Sequence, residues 1–311
     1  MSDVVLTDST AWKAAKPTLS VLTPFFRYDP IPLLEALDAE GAGLDGAVEL
    51  VLLDDGGGDD ALAEAVAAKV KALALPVRFV RLLQNEGRAK GRNRLAGAAR
   101  ARHLLFLDCD MLPDGSGFLA AYLEVIAQGD PPVVFGGFAA PSGPVPVDQA
   151  VAKAMALSGD CASAAARQLQ PEKYVFTSNL LVRRDVFEAE AFDETFVGWG
   201  WEDVEWGIRT GKRWPLLHID NAAIHLGLDP PGTLARKYEQ SVGNFARVAA
   251  RHPEIVRAFP SYRVARALRH APLRRLWRPW LKQAALTEGA PMGARVMALK
   301  LYRAALYSDV V

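Results

Sequence analysis

The sequence LLFLDCDMLPD, residues 104–114, begins as an unbroken apolar run and ends with two aspartates on either side of a cysteine. An apolar run of this kind is typical of a strand that is buried on both faces of a parallel sheet. Asp108 and Asp110 would repel each other at the end of such a strand unless a cation lay beside them. The stretch therefore predicts a buried strand that ends at a polar site.

Similar apolar runs begin at residues 19, 47, 77 and 133 and are also predicted to be strands. Between the runs, the spacing of apolar residues predicts amphipathic helices over 31–40, 59–74, 88–102 and 116–128. Alternating strands and helices indicate an α/β fold, built as a single Rossmann-type domain with a mostly parallel central sheet.

The second half of the chain is less regular. Its predicted elements are a helix within 145–170, a strand within 174–185, a helix over 232–251 and a helical tail with segments 262–286 and 291–308. We therefore divide the chain into an N-terminal extension, a main domain and a helical, basic C-terminal extension, which cover 1–17, 18–252 and 253–311.

The composition excludes several classes of protein. The 311 residues carry 36 Lys and Arg against 36 Asp and Glu, so no overall charge attracts nucleic acid. Cys109 and Cys161 lie far apart and lack the spacing of a zinc site or a disulfide framework. The first residues form neither a basic nor an apolar signal region, and no apolar run is long enough to cross a membrane. We expect a cytoplasmic protein.

Glycines and polar side chains follow the predicted strands at 23–27, 54–58, 85–88 and 108–110. The carboxyl ends of parallel strands meet at one edge of a sheet, where loops and helix N-termini converge and ligands bind. We therefore expect these four stretches to form one site.

The pair Asp108 and Asp110 suits Mg²⁺ or Mn²⁺, because these ions prefer oxygen ligands and keep substrate phosphates among them. The three basic residues of RAKGR, residues 88–92, would supply cationic donors to a diphosphate. Two simpler interpretations stay open. Asp110 or Asp114 would cap the following helix, and the basic residues would form a solvated helix face.

A second motif is FVGWGWEDVEWGIR, residues 196–209. Its glycines allow a tight backbone turn, while Trp199 and Trp201 would line a cleft. Glu202 and Asp203 begin a predicted helix, where they would act as caps or where one, beside apolar rings, would act as a general base.

His225 follows another short apolar run. A lone histidine is commonly a satisfied core or surface residue. As a neutral imidazole it would instead complete a metal site with Asp110.

The order of these motifs resembles the inverting family 2 glycosyltransferases of the A-type nucleotide-sugar fold. The motifs are Thr23-Pro24, Asp54-Asp55-Gly56, Asn85-x-Gly87, Asp108-x-Asp110, Trp199-Gly200-x-Glu202-Asp203 and His225. The second half is similar to the C-terminal region of the β-1,4-galactosyltransferases. The resemblance implies a metal-dependent hexosyltransferase that moves a sugar from a nucleotide sugar, with uridine diphosphate as the expected carrier, to a hydroxyl of a glycan or glycolipid.

The resemblance also implies roles for individual residues. Asp203 is the expected general base, and Glu202 would hold the acceptor or donor sugar. Asp110 and His225 would bind Mn²⁺ or Mg²⁺. Contacts to the donor are expected from Thr23, Pro24, Phe25, Arg27, Asp55, Asn85, Arg88, Arg92, Asp108 and Trp199.

Two positions depart from the galactosyltransferases. Ala222 stands where those enzymes have a methionine ligand, so the coordination of a metal must differ here. Trp201 stands where they have glycine, which would place an indole in the sugar pocket.

Residues 263–282 contain seven Lys or Arg residues, no acidic residue and two tryptophans among leucines. This composition is typical of an interfacial segment and predicts a peripheral contact with the inner face of an anionic membrane, where lipid-linked acceptors would occur. The alternative is a basic face that packs on acidic residues of the same protein. Pro272 and Pro279 are expected to break the segment.

Two other functions fit the sequence less well. A sugar nucleotidyltransferase would need a glycine-rich, basic triphosphate loop after the first strand, and TPFFRYDP, residues 23–30, is a poor match. A degenerate transferase domain that serves as a glycan-binding or scaffold module needs no base beside its metal. The retention of Asp110 and Asp203 argues against such a module.

Overall fold

A computed structural model describes residues 4–311 of the chain. The strands are β1 (Val4–Asp8), β2 (Leu19–Phe25), β3 (Val48–Asp54), β4 (Val77–Leu82), β5 (His103–Leu107), β6 (Met111–Pro113), β7 (Val133–Phe135), β8 (Phe138–Ala139), β9 (Asn179–Arg183), β10 (Leu216–His218) and β11 (Ala223–His225). The helices of the first half are α1 (Ile31–Gly41), α2 (Asp60–Ala72), α3 (Arg88–Ala98), α4 (Phe118–Gly129) and α5 (Ala150–Leu157). Those of the second half are α6 (Ala164–Arg167), α7 (Arg184–Ala189), α8 (Glu202–Gly211), α9 (Pro231–Arg251), α10 (Pro253–Val256), α11 (Pro260–Leu268), α12 (Arg274–Leu286) and α13 (Met292–Tyr307), with a short 3₁₀ helix at Pro171–Tyr174.

Eight strands form the central sheet in the order β1-β4-β3-β2-β5-β9-β7-β10. Strands β2 to β5 are parallel, as predicted, and β9 and β1 run against their neighbours. A smaller sheet places β11 between β6 and β8. The apolar runs are buried on both sides, so that adjacent residues such as Val21 and Leu22 face separate core layers. This arrangement confirms the predicted α/β fold and brings the carboxyl ends of β2 to β5 together.

The run at residue 133 does not form one continuous strand. It divides at Gly136 and Gly137, and β7 joins the large sheet while β8 joins the small one. A side chain on Gly136 would approach the Tyr122 hydroxyl within 2.2 Å, and Gly137 has a positive φ of 101°. Only glycines fit this transition between the two sheets.

The N-terminal segment contributes a strand that the sequence did not predict. Strand β1 pairs antiparallel with β4 at the end of the central sheet. Trp12 then packs in the core with the Arg100 guanidinium 3.8 Å from its ring centroid. The proposed extension, 1–17, therefore includes residues of the sheet, and its residues 1–3 lie outside the described part of the chain.

The C-terminal helices pack on the main domain. The break that was predicted at Pro272 is confirmed, because a turn at 269–273 separates α11 from α12 and Leu273 adopts a positive φ of 52°. Pro279 was expected to break the segment but lies within α12. Helix α13 contacts α12, α9 and α5. Within residues 4–311, no helix has the length and apolar character needed to cross a membrane.

Candidate active site

Asp108 and Asp110 lie in the turn that connects β5 to β6, at the carboxyl-terminal edge of the central sheet. Neither they nor Asp114 cap helix α4. The first amides of that helix, those of Phe118 and Leu119, donate instead to the carboxylate of Glu40 at 3.1 and 2.8 Å. The helix-capping interpretation of the aspartates is therefore wrong, and the two carboxylates are free for another role.

His225 and Asp110 come together because β11 pairs antiparallel with β6. The Nε2 of His225 lies 3.3 Å from the Oδ2 of Asp110. Burial opposes ionisation of Asp110, but the hydrogen bond and the charge of His225 outweigh it and lower the pKa of Asp110 below its ordinary value. An ionised carboxylate beside an imidazole is a suitable pair of ligands for a divalent cation.

Gly227 allows the chain to pass directly over Asp110. A Cβ atom at this position would lie 1.9 Å from the Oδ2 of Asp110. The amide of Leu226 also donates to the carbonyl of Asp110 at 2.8 Å. The loop after β11 therefore lies against the carboxylate, and a side chain at residue 227 would require the Asp110 side chain to move.

Arg92 connects two carboxylates in the interior of the site. Its side chain is 2% exposed, and its guanidinium lies 2.8 Å from Asp108 and 3.6 Å from Glu202. Arg88, one turn earlier on α3, is 45% exposed and lies 4.0 Å from Glu202. The solvated-face interpretation is therefore wrong for Arg92, whereas Arg88 remains accessible to a ligand.

Asp55 orders the turn that leads into α3. Its carboxylate accepts hydrogen bonds from the amides of Glu86 at 2.8 Å and Gly87 at 3.1 Å, and from the Asn85 side chain at 2.9 Å. Burial raises the pKa of Asp55, although the two backbone donors oppose this shift. Gly56 passes so close to this turn that a Cβ would lie 2.3 Å from the Asn85 nitrogen. Asp55 and Asn85 thus support the site from one side.

The residues at the end of β2 and directly after it divide between core and surface. Thr23 is fully buried, and its hydroxyl has no hydrogen-bond partner within the described residues. Phe25 is 3% exposed and stacks on Phe79 at 6.0 Å, so its ring belongs to the core and cannot line a nucleotide pocket. The next residue, Phe26, is 47% exposed and has the Arg27 guanidinium 5.1 Å above its ring. Of the two rings, only that of Phe26 is therefore accessible to a ligand at this surface.

The loop before α8 has an unusual backbone. Gly198, Gly200 and Trp201 all have positive φ, of 82°, 84° and 74°. The side-chain amide of Asn244 donates to two carbonyls of this loop at 3.1 and 2.9 Å. The Trp201 indole packs between Phe245 and α13, rather than in a sugar pocket as the sequence predicted.

Trp199 lies on the other side of the same loop. Its ring is partly buried, with its centroid 6.0 Å from that of Tyr238 and the Lys237 amine 5.8 Å above it. It is therefore the tryptophan of the motif that keeps an aromatic face near the surface.

Asp203 occupies the first turn of α8 and carries the most informative pKa shift of the site. Burial, and then the negative charge of Glu202, raises its pKa to about 7, against the effects of the Val204 amide, Arg92 and Arg88. Glu202 is 4% exposed, and its Oε2 has no hydrogen-bond partner within residues 4–311. A carboxyl group poised near neutral pH can accept a proton from a hydroxyl.

The structure thus brings Arg88, Arg92, Asp108, Glu202 and Asp203 into one cluster, with Asp110 and His225 beside it. Sequence analysis missed Tyr28. Partial burial, and then the nearby charge of Asp110, raises the pKa of its phenol. Its position directly after a strand end, among other site residues, was the only available signal.

Comparisons with known proteins agree with this fold. The sequence profile of glycosyl transferase family 2 matches residues 20–190. A comparison with curated proteins finds no significant match. Among solved structures, the mannosyltransferase PcManGT from Pyrobaculum calidifontis, in complex with GDP-Man and Mn²⁺, has a TM-score of 0.59 at 15% identity, covering 98% of this chain and 89% of that chain.

Residues 1–349 of S. aureus TarS, in complex with UDP-GlcNAc, give a TM-score of 0.53 at 14% identity, covering 94% of this chain and 90% of that one. At these low identities the structural likeness shows a common fold only, which is the A-type fold found in glycosyltransferases. The family profile covers more than half of the chain. The chain belongs to glycosyl transferase family 2 and is a hexosyltransferase-type enzyme.

Proposed function

We propose that the protein transfers a sugar from a nucleotide sugar to a hydroxyl of a glycan or lipid-linked acceptor, with inversion at the anomeric carbon. The observation that carries this proposal is the state of Asp203. Its carboxyl is half-buried, has a pKa of about 7 and lies beside two arginines. Those arginines also face a cluster of carboxylates. A group with this pKa is largely deprotonated in slightly alkaline solution and yet basic enough to accept a proton.

The reaction is a single displacement. Asp203 removes the proton of the acceptor hydroxyl as its oxygen forms a bond to the anomeric carbon. The bond between that carbon and the diphosphate oxygen breaks, and its electron pair leaves with the nucleoside diphosphate. Arg88 is 45% exposed, and its positive charge stabilises the negative charge of the leaving group. The buried Arg92 holds Asp108 and Glu202 in place.

Asp110 and His225 have the chemistry to hold a divalent metal, one through a carboxylate oxygen and the other through an imidazole nitrogen. Within residues 4–311, no group of three or more His, Cys, Asp or Glu side chains forms a fuller cage. Two protein ligands suit Mn²⁺ or Mg²⁺ that also binds substrate phosphates. When bound, such an ion would neutralise charge that develops on the diphosphate.

Several observations support these assignments. The roles of Asp203 and His225 follow the resemblance that we propose between the motifs around them and the C-terminal region of the β-1,4-galactosyltransferases. A neighbour of the same fold is described in complex with GDP-Man and Mn²⁺, and another with UDP-GlcNAc. We propose uridine diphosphate as the carrier on the basis of the family resemblance alone.

Titration calorimetry with a panel of nucleoside diphosphates and nucleotide sugars tests the donor site. Each is titrated with Mn²⁺, with Mg²⁺ and with chelator, against the native chain and Asp110→Asn. We expect metal-dependent binding of one nucleotide family and its loss in the variant. Absence of binding to every compound by the folded native chain would reject the transferase and favour a degenerate glycan-binding module.

We further propose that part of residues 263–282 contacts an anionic membrane. Arg274, Arg275 and Arg278 pair with Asp309, and Lys282 pairs with Glu239, so the alternative of internal acidic partners holds for these four cations, although the Arg275 side chain stays 76% exposed. The exposed cations of the segment are Arg263, Arg266, Arg269 and Arg275. Each would contribute about 1 kcal/mol near an anionic leaflet.

The same surface exposes apolar side chains. Leu273, Leu276 and Trp280 are 72%, 66% and 76% exposed, and the latter two lie one turn apart on α12. Exposed leucine and tryptophan beside arginines match the interfacial region of a bilayer, where apolar rings enter the headgroup layer. This combination of charge and apolar exposure favours a lipid surface over a soluble acidic partner.

Cosedimentation with vesicles of phosphatidylserine and phosphatidylcholine tests this contact. We expect binding at low salt that weakens as salt rises, and loss of binding for the double variant Leu276→Ser, Trp280→Ser. Leu169→Ser, at a position that is 83% exposed on another surface, is the control. Equal binding of the double variant and the control, or equal binding to vesicles without phosphatidylserine, would overturn the proposal.

A further inference from the structure

The last helix of the chain is joined to the loop that carries the proposed base. The indole N–H of Trp201 donates to the hydroxyl of Tyr307 at 2.9 Å. That hydroxyl lies 2.7 Å from the hydroxyl of Ser241 on α9. Tyr307 is at the C-terminal end of α13, beyond the residues that match the family profile. The loop with Trp201 also lies outside the matched residues 20–190, so the contact joins two parts of the chain that the family profile does not cover.

Tyr307 is held rigidly in this position. Its side chain is 1% exposed, and its ring stacks on Phe245 with a centroid separation of 4.1 Å and an interplanar angle of 18°. The indole of Trp201 packs on the same Phe245 ring at 4.9 Å. Because the two aromatic rings share one buried neighbour, the hydroxyl of Tyr307 meets the indole N–H in a fixed geometry.

Trp201 needs such support because its backbone is strained. A non-glycine residue at a φ of 74° costs on the order of 1–3 kcal/mol and persists only where its surroundings hold it. The carbonyl of Trp201 accepts the first hydrogen bond of α8, from the amide of Glu205 at 2.9 Å. The conformation of Trp201 therefore sets the direction from which α8 starts, and Asp203 lies in the first turn of that helix.

We infer that Tyr307 is a positioning residue for Asp203, and that it acts through the hydrogen bond to Trp201. This inference rests on the proposed role of Asp203 as the base. The hydroxyl of Tyr307 holds the strained loop closed against α9 and α13. The loop in turn holds Asp203 at a fixed place beside Glu202 and Arg92. A small displacement of a catalytic group costs about a hundredfold in rate.

Tyr307→Phe tests the inference, because it keeps the stacked ring and removes only the hydroxyl. Tyr302→Phe is the matched control, since Tyr302 lies on the same helix and its hydroxyl donates to Glu239 at 2.6 Å, not to the loop. Turnover is measured with the nucleotide sugar that binds in the calorimetric panel. We expect Tyr307→Phe to lower kcat by about tenfold to a hundredfold with an unchanged KM for the donor. Tyr302→Phe should retain the native kcat.

Two further readouts separate positioning from general loss of stability. Hydrogen exchange of the amides at 202–206 should become faster in Tyr307→Phe and stay native in Tyr302→Phe. The midpoint of the pH dependence of kcat/KM should move down in Tyr307→Phe, because a loosened loop admits water to Asp203. Trp201→Phe, which removes the other partner of the bond, should reproduce both changes, and the double variant should be no slower than either single variant.

The inference and the proposed function fail in different ways. If the native chain binds no nucleotide, the proposed function fails, and hydrogen exchange still reports whether Tyr307 holds the loop. If the native chain transfers sugar but Tyr307→Phe has native kcat, pH dependence and hydrogen exchange, only the positioning role of Tyr307 is rejected, and the proposed function stands.

Discussion

Arg92 lies 2.8 Å from Asp108 and 3.6 Å from Glu202, so one buried guanidinium joins the carboxyl-terminal edge of the sheet to the start of α8. Asp108 follows the strand β5, whereas Glu202 precedes Asp203 on a helix from the second half of the chain. Removal of one partner of a buried ion pair leaves a charge unpaired and costs about 3–5 kcal/mol. Arg92 is therefore a structural centre that connects the proposed donor side of the site to the proposed base.

Substitution of the proposed base should separate binding from turnover. Asp203→Asn keeps the shape of the side chain but cannot accept the proton, so we expect kcat to fall by about 10²–10⁴-fold. Calorimetry should show donor affinity close to native. Asp185→Asn, in the first turn of α7 and away from the site, is a control that should leave kcat unchanged. An equal loss of affinity and turnover in Asp203→Asn would contradict the assignment.

The pH dependence of turnover should follow the ionisation of Asp203. Burial and the charge of Glu202 raise its pKa to about 7, so the carboxyl is protonated and inactive as a base at lower pH. We expect kcat/KM to rise with pH through about 7 and to fall about tenfold per unit below it. Initial rates from pH 5.5 to 9 measure this directly. A rate that is constant between pH 5.5 and 7 would mean that Asp203 is not the base.

A side chain at residue 227 should displace the Asp110 carboxylate. Gly227→Ala places a methyl group where Asp110 Oδ2 now lies, 1.9 Å from the new Cβ, so the carboxylate must move away from His225. We expect the metal dependence of nucleotide binding to be lost in calorimetry while the far-ultraviolet circular dichroism stays native. Gly243→Ala, on α9 with open space around the added methyl, serves as the control. Native metal titration of Gly227→Ala would remove Asp110 from the proposed metal site.

Substitution of Phe25, the last residue of β2, should affect stability, whereas substitution of the adjacent Phe26 should affect nucleotide binding. Phe25→Ala removes a ring that is 3% exposed, and we expect it to lower the free energy of unfolding by about 3–5 kcal/mol. Phe26→Ala removes a ring that is 47% exposed, so we expect near-native stability and weaker nucleotide binding. Urea denaturation and calorimetry measure the two effects. If donor binding survives in Phe26→Ala but is lost in a Phe25→Ala variant that still folds, the donor contact would be assigned to Phe25 again.

Much of the sheet could be predicted because its residues carry local signals. The apolar runs at 19, 47, 77 and 103 are strands, and the polar residues after them lie together, as parallel topology requires. Strand β1 was missed because VVLTD, residues 4–8, is short and partly exposed, and it gains its conformation from pairing with β4. The break at Gly136 was missed because it depends on Tyr122, Asn179 and Asn221, which are distant in sequence.

The candidate site likewise contains some features that local sequence signals predict and others that depend on distant residues. The Asp108, Asp110 and Asp203 motifs and His225 were visible in the sequence, and the resemblance added roles for them. The burial of Phe25 could not be predicted from Pro-Phe-Phe-Arg, since either ring could have faced the core. The direction of the Trp201 indole depends on Phe245 and Tyr307, so a local motif could not show that it points away from the sugar pocket.

The sequence by itself determined the α/β order, the strand ends at which the carboxylates gather and the glycine-rich loop before Asp203. These features depend on periodicity and on residue types that act within a few positions of the chain. Only the tertiary structure decided that Arg92 is buried between Asp108 and Glu202, that Gly227 lies against Asp110 and that Tyr307 holds Trp201. Each of these contacts joins segments that are distant in sequence, and its geometry and desolvation arise only when the sheet, α8 and α13 pack together.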